Sequence, residues 1–432
     1  ELSTASTLGS GLESLRGRSV LITSHEQLAA AVALLELDGI ARRLVVCTPD
    51  LTPEQLAEVA ATGEVDALVH DGEVPPTLAA LPAHELTPRP LPAAVARATT
   101  GATEWILLTS GTTGRPKLVL HTLDSLGGTL PRQAPPGSRC VWSTFYDIRR
   151  YGGMQIYLRA VLSGAPLVLS SPADATRDFL LRAGAAGVTH ISGTPSHWRR
   201  TLMSGAAGLI QPSYVRLSGE IADQAILDSL QAAYPQARVA HAFASTEAGV
   251  AFDVNDGRAG FPAELVDRPQ GAIDMKVVDG TLRIRSQRNA ARYLGATPAA
   301  LVGSDGYVDT GDMVELLDGR YHFRGRVGGV INVGGLKVHP EEVESVLNGD
   351  PRVRMSLVRA RRNPITGAIV VADVVLADPD ALAQAPEAAE RIKAELLGAC
   401  RQALAAHKVP TSLRFVPALE LTAAGKLVRP GA

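Results

Sequence analysis

Cysteine is scarce in this chain: Cys47, Cys140 and Cys400 are the only three in 432 residues, and they lie far apart with no CxxC spacing and no histidine cluster nearby. That argues against a disulfide framework and a zinc site, and leaves each thiol as a small buried hydrophobe. A long apolar run is missing too. The best candidates, AAAVALLELDG and YLRAVLSGAPLVL, are interrupted by charge and fall short of the roughly 18 residues a membrane span needs, so no membrane span is expected. The opening stretch, ELSTASTLGSGLESLRG, has no basic segment followed by an apolar one and does not read as a signal peptide, which makes a reducing cytoplasm the default location. The chain starts at Glu1 rather than Met, which leaves room for sequence ahead of it.

Excess charge of one sign is also absent. With 42 basic and 44 acidic residues the formal net charge is -2, and nothing in that balance calls for a nucleic-acid partner. The pairs Arg149-Arg150 and Arg199-Arg200 are isolated beside apolar sequence, as on a strand end or a solvated helix face. Lysine is rare: Lys117, Lys276, Lys337, Lys393, Lys408 and Lys426 are all there are. Where arginine serves almost everywhere, a lysine inside a glycine-rich motif marks a place that wants a compact ammonium. With 46% hydrophobic and 20% charged residues, the chain reads as a soluble globular protein of two or more domains.

What is present is a regular rhythm. SVLITS, RLVVCT and DALVHD read as buried strands, with helices at 26–37 and 53–61 between them. The alternation resumes with PLVLSS, a helix at 175–186, VTHISG, a helix at 195–203, YVRLSG, a helix at 222–234 and RVAHAFAS. Strand and helix in turn predict an α/β fold of helix-covered, mostly parallel sheets. IDMKVVDGTLRIRS and VELLDGRYHFRG then carry the Asp-Gly hairpin signal, so antiparallel strands close this part in a barrel-like piece. After Arg326 a smaller α+β unit follows: hairpin VINVGGLKV, a helix opened by Pro340, strands RMSLVRA and AIVVADVVL, and an alanine-rich helix from about 386 to 406. The expected domains are 1–326 and 327–432, with the boundary at GRVGG.

Four motifs carry chemistry. In TSGTTGRPK, Thr109 to Lys117, glycines 111 and 114 let the backbone approach a ligand, while Ser110, Thr112 and Thr113 offer donors for phosphate oxygens. It is not a Walker A loop, because Lys117 follows Gly114 by three and precedes Leu118; the bland alternative is a polar surface hairpin. In AFASTEAG, Glu247 at the end of a strand sits where α/β sheets bind ligands and offers a carboxylate for a magnesium ion, and Phe243 offers a flat face for a base. The competing reading of STE is a helix N-cap. Asp312 in DGYVDTGDMVEL is suited to accept both hydroxyls of a ribose, or is an ordinary turn aspartate. Lys426 in AAGKLVRP is a loop lysine near the chain end.

Taken together and in this order, the four motifs resemble those of the adenylate-forming superfamily of acyl-CoA synthetases, nonribosomal-peptide adenylation domains and luciferases, over nearly the whole chain. GRVGGVINVGGLKVHPEEVE resembles its hinge and first C-terminal stretch. The resemblance implies an AMP-forming acid:thiol ligase in two halves. A carboxylate attacks ATP to give an acyl-adenylate and pyrophosphate; the thiol of coenzyme A then displaces AMP. It implies ATP and Mg2+ as cofactors, with Thr109, Ser110, Gly111, Thr112, Thr113, Gly114 and Lys117 on the phosphates, Thr246 on the α-phosphate, Glu247 on Mg2+ and Phe243 on adenine. Asp312 and Arg326 take the ribose, and Lys426 is the catalytic lysine. A small mobile C-terminal domain would rotate near Gly328, presenting Gly334 and Gly335 to the thiol. A separate phosphopantetheinyl carrier protein is the alternative acceptor. A non-catalytic nucleotide-binding protein is a weaker alternative, since Glu247 and Lys426 are both retained.

Departures from the family pattern are visible. Phe243-Ala244 replaces the usual Tyr-Gly, glycine stands at the hinge position, and the region before the phosphate loop is short. STFYDIRRYGG lacks the gating histidine, leaving Tyr146, Arg149 or Tyr151 for that task. The expected acyl pocket comprises Tyr146, Arg149, Tyr151, Gly153, Thr194, His197, Gly219 and His241. An arginine pointing into it favours an acid with a second anionic group; the alternative is that Arg149 and Arg150 pair with Asp147 or face solvent.

Overall fold

Strands and helices alternate along the chain in a computed structural model, which describes residues 12–86, 101–110, 115–133, 140–171, 173–268, 271, 273–295, 300–364, 366–378 and 386–429. The residues fall into two units: Glu1–Ser192 with Phe243–Phe252 and Ile284–Asp309, and Gly193–Ala242 with Asp253–Arg283 and Thr310–Ala432.

The first unit is built on a seven-stranded sheet ordered Arg292–Tyr293, Pro116–Thr122, Glu104–Ser110, Arg43–Val46, Ser19–Thr23, Ala67–His70, Ala83–Glu85. Pairing is parallel from Glu104–Ser110 through to Ala83–Glu85, as the βα rhythm predicts. Successive side chains of a strand point to opposite faces, so each central strand serves two cores. Val20 and Ile22 pack with Ala30, Leu34 and Leu37 of the helix Gln27–Leu37. Leu21 turns the other way, to Leu56 and Val59 of the helix Pro53–Thr62. That second helix starts where it does because Thr52 and Gln55 form a capping box and Pro53 takes the first helical position. Burying each such aliphatic side chain stabilises the unit by about 1.5–3 kcal/mol.

At its other edge the sheet becomes antiparallel. Glu104–Ser110 and Pro116–Thr122 form a hairpin in which Thr109 lies opposite Lys117, and Arg292–Tyr293 adds to its outer side. Trp142–Thr144 pairs in parallel with Leu167–Val168 and with the strand from His190. The strand expected from PLVLSS is only Leu167–Val168, because the Ser170 carbonyl accepts a hydrogen bond from Gln27 Nε2 at 2.6 Å instead of extending the ladder.

In the second unit, Tyr214–Ser218 runs parallel to Arg238–Ser245, with Leu217 opposite His241. The helix expected from 222 begins at Gln224, since Asp223 caps it by accepting from Ile226 N. Val308–Leu317 and Arg320–Arg326 form the second Asp-Gly hairpin; Asp318 and Gly319 both take positive φ, at 47° and 75°. After the turn Val327–Gly329 come the hairpin Ile331–Val333 and Leu336–Val338, the helix Pro340–Asn348, and the antiparallel strands Val353–Asn363 and Gly367–Leu376. Ser412–Phe415 pairs in parallel with the last of these. The alanine-rich helix runs Pro386–Ala403 and buries Leu396 and Cys400 against Val358, Val370 and Val374.

Candidate active site

Gly111, Thr112, Thr113 and Gly114 lie outside the described residues; the two strands that carry this loop are described, and they set the positions of Thr109, Ser110 and Lys117 in the first unit. Lys117 Nζ stands 5.3 Å from the centre of the Tyr293 ring, and the Tyr293 hydroxyl donates to Glu247 Oε1 at 3.3 Å. One aromatic ring therefore joins the lysine beside the loop to the carboxylate of STEAG. Ser245–Ala248 is a turn between two strands, not a helix start: Ala248 N donates to Ser245 Oγ at 2.9 Å, and the chain returns as the strand Gly249–Val254. Phe243 stacks on Phe252 of that returning strand, ring centres 6.0 Å apart.

His121, four residues after Lys117, was not singled out by the sequence. Its Nε2 donates to the Thr246 carbonyl at 2.7 Å and its Nδ1 lies 3.0 Å from Ser125 Oγ. Burial pushes its pKa down to about 4, so it stays neutral near pH 7 and ties the hairpin strand to the turn holding Glu247. Its position at a strand end directly before a capping threonine, Thr122, was the only mark it left in the sequence.

The STFYDIRRYGG segment is mostly internal. The Arg149 side chain is wholly buried, with Nε and Nη2 donating to the two Asp147 carboxylate oxygens at 2.8 and 2.6 Å and Nη1 donating to the Ser24 carbonyl. Arg150 pairs with Asp50 at 2.7 Å. Of the two readings of these arginines, engagement by carboxylates is the one observed. Tyr151 lies 5.7 Å, centre to centre, from His121. Gly153 has no room for a side chain, because a Cβ there would stand 2.1 Å from the Asp147 carbonyl oxygen; Tyr146 is buried.

The second unit gathers a separate group. Asp312 lies opposite Arg326 across its hairpin, with Arg326 Nε 3.5 Å from Asp312 Oδ1 and Nη2 donating to the Thr310 carbonyl at 2.9 Å. Lys426 comes to Gly219: a Cβ on that glycine, which has φ of 84°, would meet Lys426 Cε at 3.3 Å and Thr194 Cγ2 at 3.8 Å. Thr194 and His197 form a capping box at the start of the helix Pro195–Met203, in which His197 Nδ1 accepts from Thr194 N at 3.2 Å. His197 is half-buried against Gly425, and the loss of water there, more than any nearby charge, pushes its pKa down to about 4. His241 Nε2 donates to the Arg258 carbonyl at 3.0 Å. Gly334 and Gly335 form the tip of their hairpin with φ of 59° and 91°, and Gly328 is exposed with open space where its Cβ would be.

Among the described residues no cluster of three or more His, Cys, Asp or Glu gathers that would cage a metal. Among the described residues Glu247, bonded to Tyr293, offers a hard oxygen donor beside the phosphate-loop strands. That donor set fits Mg2+, which keeps its waters and is held by one or two carboxylates together with substrate phosphates. No helix among the described residues is long and apolar enough to cross a membrane.

Known proteins resemble this chain in sequence and in fold. The family model described as AMP-binding enzyme matches residues 3–290, and that described as AMP-binding enzyme C-terminal domain matches 342–426. A 2-succinylbenzoate--CoA ligase of Salmonella typhimurium is 29% identical over 261 residues, 58% of this chain and 53% of that one. The same-named ligase of Geobacillus kaustophilus is 28% identical over 354 residues, 75% of this chain and 67% of that one. The chain thus spans between half and two thirds of the length of these relatives. A solved structure of the anthranilate CoA ligase AuaEII, in complex with anthranoyl-AMP, shares the fold with TM-score 0.77 at 17% identity, covering 96% of this chain and 86% of that one.

Proposed function

For a chain that belongs to the AMP-binding enzyme family, we propose an AMP-forming ligase that activates a carboxylic acid as its acyl-adenylate and passes the acyl group to the thiol of coenzyme A. The observation that carries the proposal is the docked Lys426. The residues around Gly219 receive the one lysine of the C-terminal motif, and a compact cation there is what two reacting anions need.

In this reading the residues act by neutralising charge and by positioning. Thr109, Ser110 and the loop to Gly114 hold the terminal phosphates with Lys117 close by, and Thr246 meets the α-phosphate. Asp312 and Arg326 receive the ribose hydroxyls, Phe243 lies against the adenine, and Lys426 draws the substrate carboxylate towards the α-phosphorus. Glu247 would hold Mg2+ with Tyr293 fixing its carboxylate, and the ion would offset charge on the phosphate oxygens. Attack forms the carboxylate oxygen to phosphorus bond and releases pyrophosphate; the thiol sulfur then forms the thioester and releases AMP.

The acid is a carboxylate whose other substituents are not met by Arg149 or Arg150, since both guanidiniums are already paired. The glycines at 328, 334 and 335 suit a mobile small domain carrying the thiol step, with 326–327 as its boundary. Carboxylate-dependent exchange of pyrophosphate into ATP, run over aliphatic, aromatic and dicarboxylic acids, tests the first half alone. Exchange with one acid class that falls by about 100-fold or more in Lys426→Ala supports the reading. No exchange with any acid, while ATP still binds, would overturn it.

A further inference from the structure

Lys426 is bracketed on both sides by hydrogen bonds from one wall. On its N-terminal side the Thr194 hydroxyl donates to the Gly425 carbonyl at 2.6 Å. On its C-terminal side Leu427 N donates to Glu220 Oε1 at 3.0 Å, while Glu220 Oε2 accepts from Ser196 N at 2.9 Å. Gly425, at φ of 70°, lies so flat on the His197 ring that a Cβ would fall 1.8 Å from Cε1. The hairpin itself is closed by Thr422, which accepts from Gly425 N and donates to the Lys426 carbonyl at 2.7 Å. Arg429 fastens its far end through a bidentate pair with Glu344 at 2.9 and 2.7 Å.

We propose that Glu220 is a positioning residue for the first half-reaction: with Thr194 it clamps the backbone on either side of Lys426 and so places the ammonium beside Gly219. The proposal rests on the ligase reading above. A carboxylate is suited to the task because it accepts two backbone N–H groups at once, one from the wall and one from the incoming hairpin, and charge-assisted bonds of this kind are stronger than neutral ones. Breaking the clamp leaves the lysine present but no longer held where it reacts. The thioester-forming half does not use Lys426 and is left intact.

Three measurements on the full chain test this. Pyrophosphate exchange in Glu220→Ala falls by about 100-fold in kcat with KM for ATP and acid nearly unchanged, the cost of a misplaced catalytic group. Glu220→Gln, which keeps one acceptor oxygen, lies between, and Thr194→Val loses rate in the same direction. Thioester formation from supplied acyl-adenylate and CoA keeps its wild-type rate in both Glu220 variants. The double variant Glu220→Ala with Lys426→Ala is no slower than Lys426→Ala alone, because the clamp acts only through the lysine.

A parallel fall in both half-reactions, or a double variant slower than Lys426→Ala, makes Glu220 merely structural and overturns the proposal. Wild-type exchange in Glu220→Ala, with Lys426→Ala slow, removes the clamp and leaves the ligase reading standing. Wild-type exchange in Lys426→Ala removes the ligase role of that lysine, and the clamp's purpose with it. Hydrogen exchange at the Leu427 amide reads the clamp without turnover: it speeds up by roughly 10-fold or more in Glu220→Ala, and an unchanged rate overturns the proposal.

Discussion

His197 is half-buried where it lies against Thr194 and Gly425, and the desolvation of its ring there gives it a pH-dependent contribution to stability. Its folded pKa, about 4, lies below the ordinary histidine value of 6.5. As pH falls below 6.5 the unfolded chain takes up the proton first, so stability is complete above that value and declines towards pH 4, by roughly 3 kcal/mol for this group. His197→Gln keeps an acceptor for the capping box and removes the titration. Urea unfolding from pH 7.5 to 4 is expected to show a shallower decline in that variant, and an unchanged slope would count against a desolvated, neutral imidazole at His197. Arginine shows how differently one residue type can end. Arg149 reads in the sequence as either a pocket lining or an ion-pair partner; the observed fork onto Asp147 requires knowing that Ser24 and His25 supply carbonyls from far along the chain. Cys47 and Cys400 are buried as their isolation predicted, and burial pushes their thiols up to about 12 and about 11.

Two elements of the first unit are joined through a single side chain. The strand Pro116–Thr122 carries His121 next to its last residue, and His121 Nε2 holds the carbonyl of Thr246 in the turn before Gly249–Val254. Outer partners that orient a metal-binding group commonly account for 10- to 100-fold in affinity, so His121→Ala is expected to raise the magnesium concentration needed for half-maximal exchange by about 10-fold or more. Equal magnesium dependence in the two proteins would show that the turn holds itself. The hairpins around Asp279-Gly280 and Asp318-Gly319 were legible because Asp-Gly suits positive φ at both central positions, and all four residues adopt it. The STE turn was not. Its cap-like composition serves a helix start and a strand-to-strand turn equally, and the decision fell to the pairing partner Gly249–Val254, whose strand the sequence reading had not marked.

For the molecule as a whole, the proposed activity implies that ligand binding and folding are linked. A non-reactive acyl-adenylate analogue of the acid found in the exchange assay, held at about 100 times its Kd, is expected to raise the unfolding free energy by about 2.7 kcal/mol, read as an increase in Tm. The acid alone at a concentration far below its own Kd leaves Tm unchanged, and an equal shift from both would speak against adenylate formation. The α/β class and most of the alternation of strands and helices were determined by the sequence alone, though the helix Tyr151–Ser163 and the strand Gly249–Val254 were not legible in it. Period-two apolar runs, Asp-Gly turns and a lysine or carboxylate in a glycine-rich setting are local properties, and local chemistry can be read locally. Which distant groups meet was decided by tertiary structure alone. Thr194 reaches Gly425 across 231 positions, and Glu220 reaches Leu427 across 207. Such pairs depend on which surfaces pack together, and a single chain of letters does not encode that at either end.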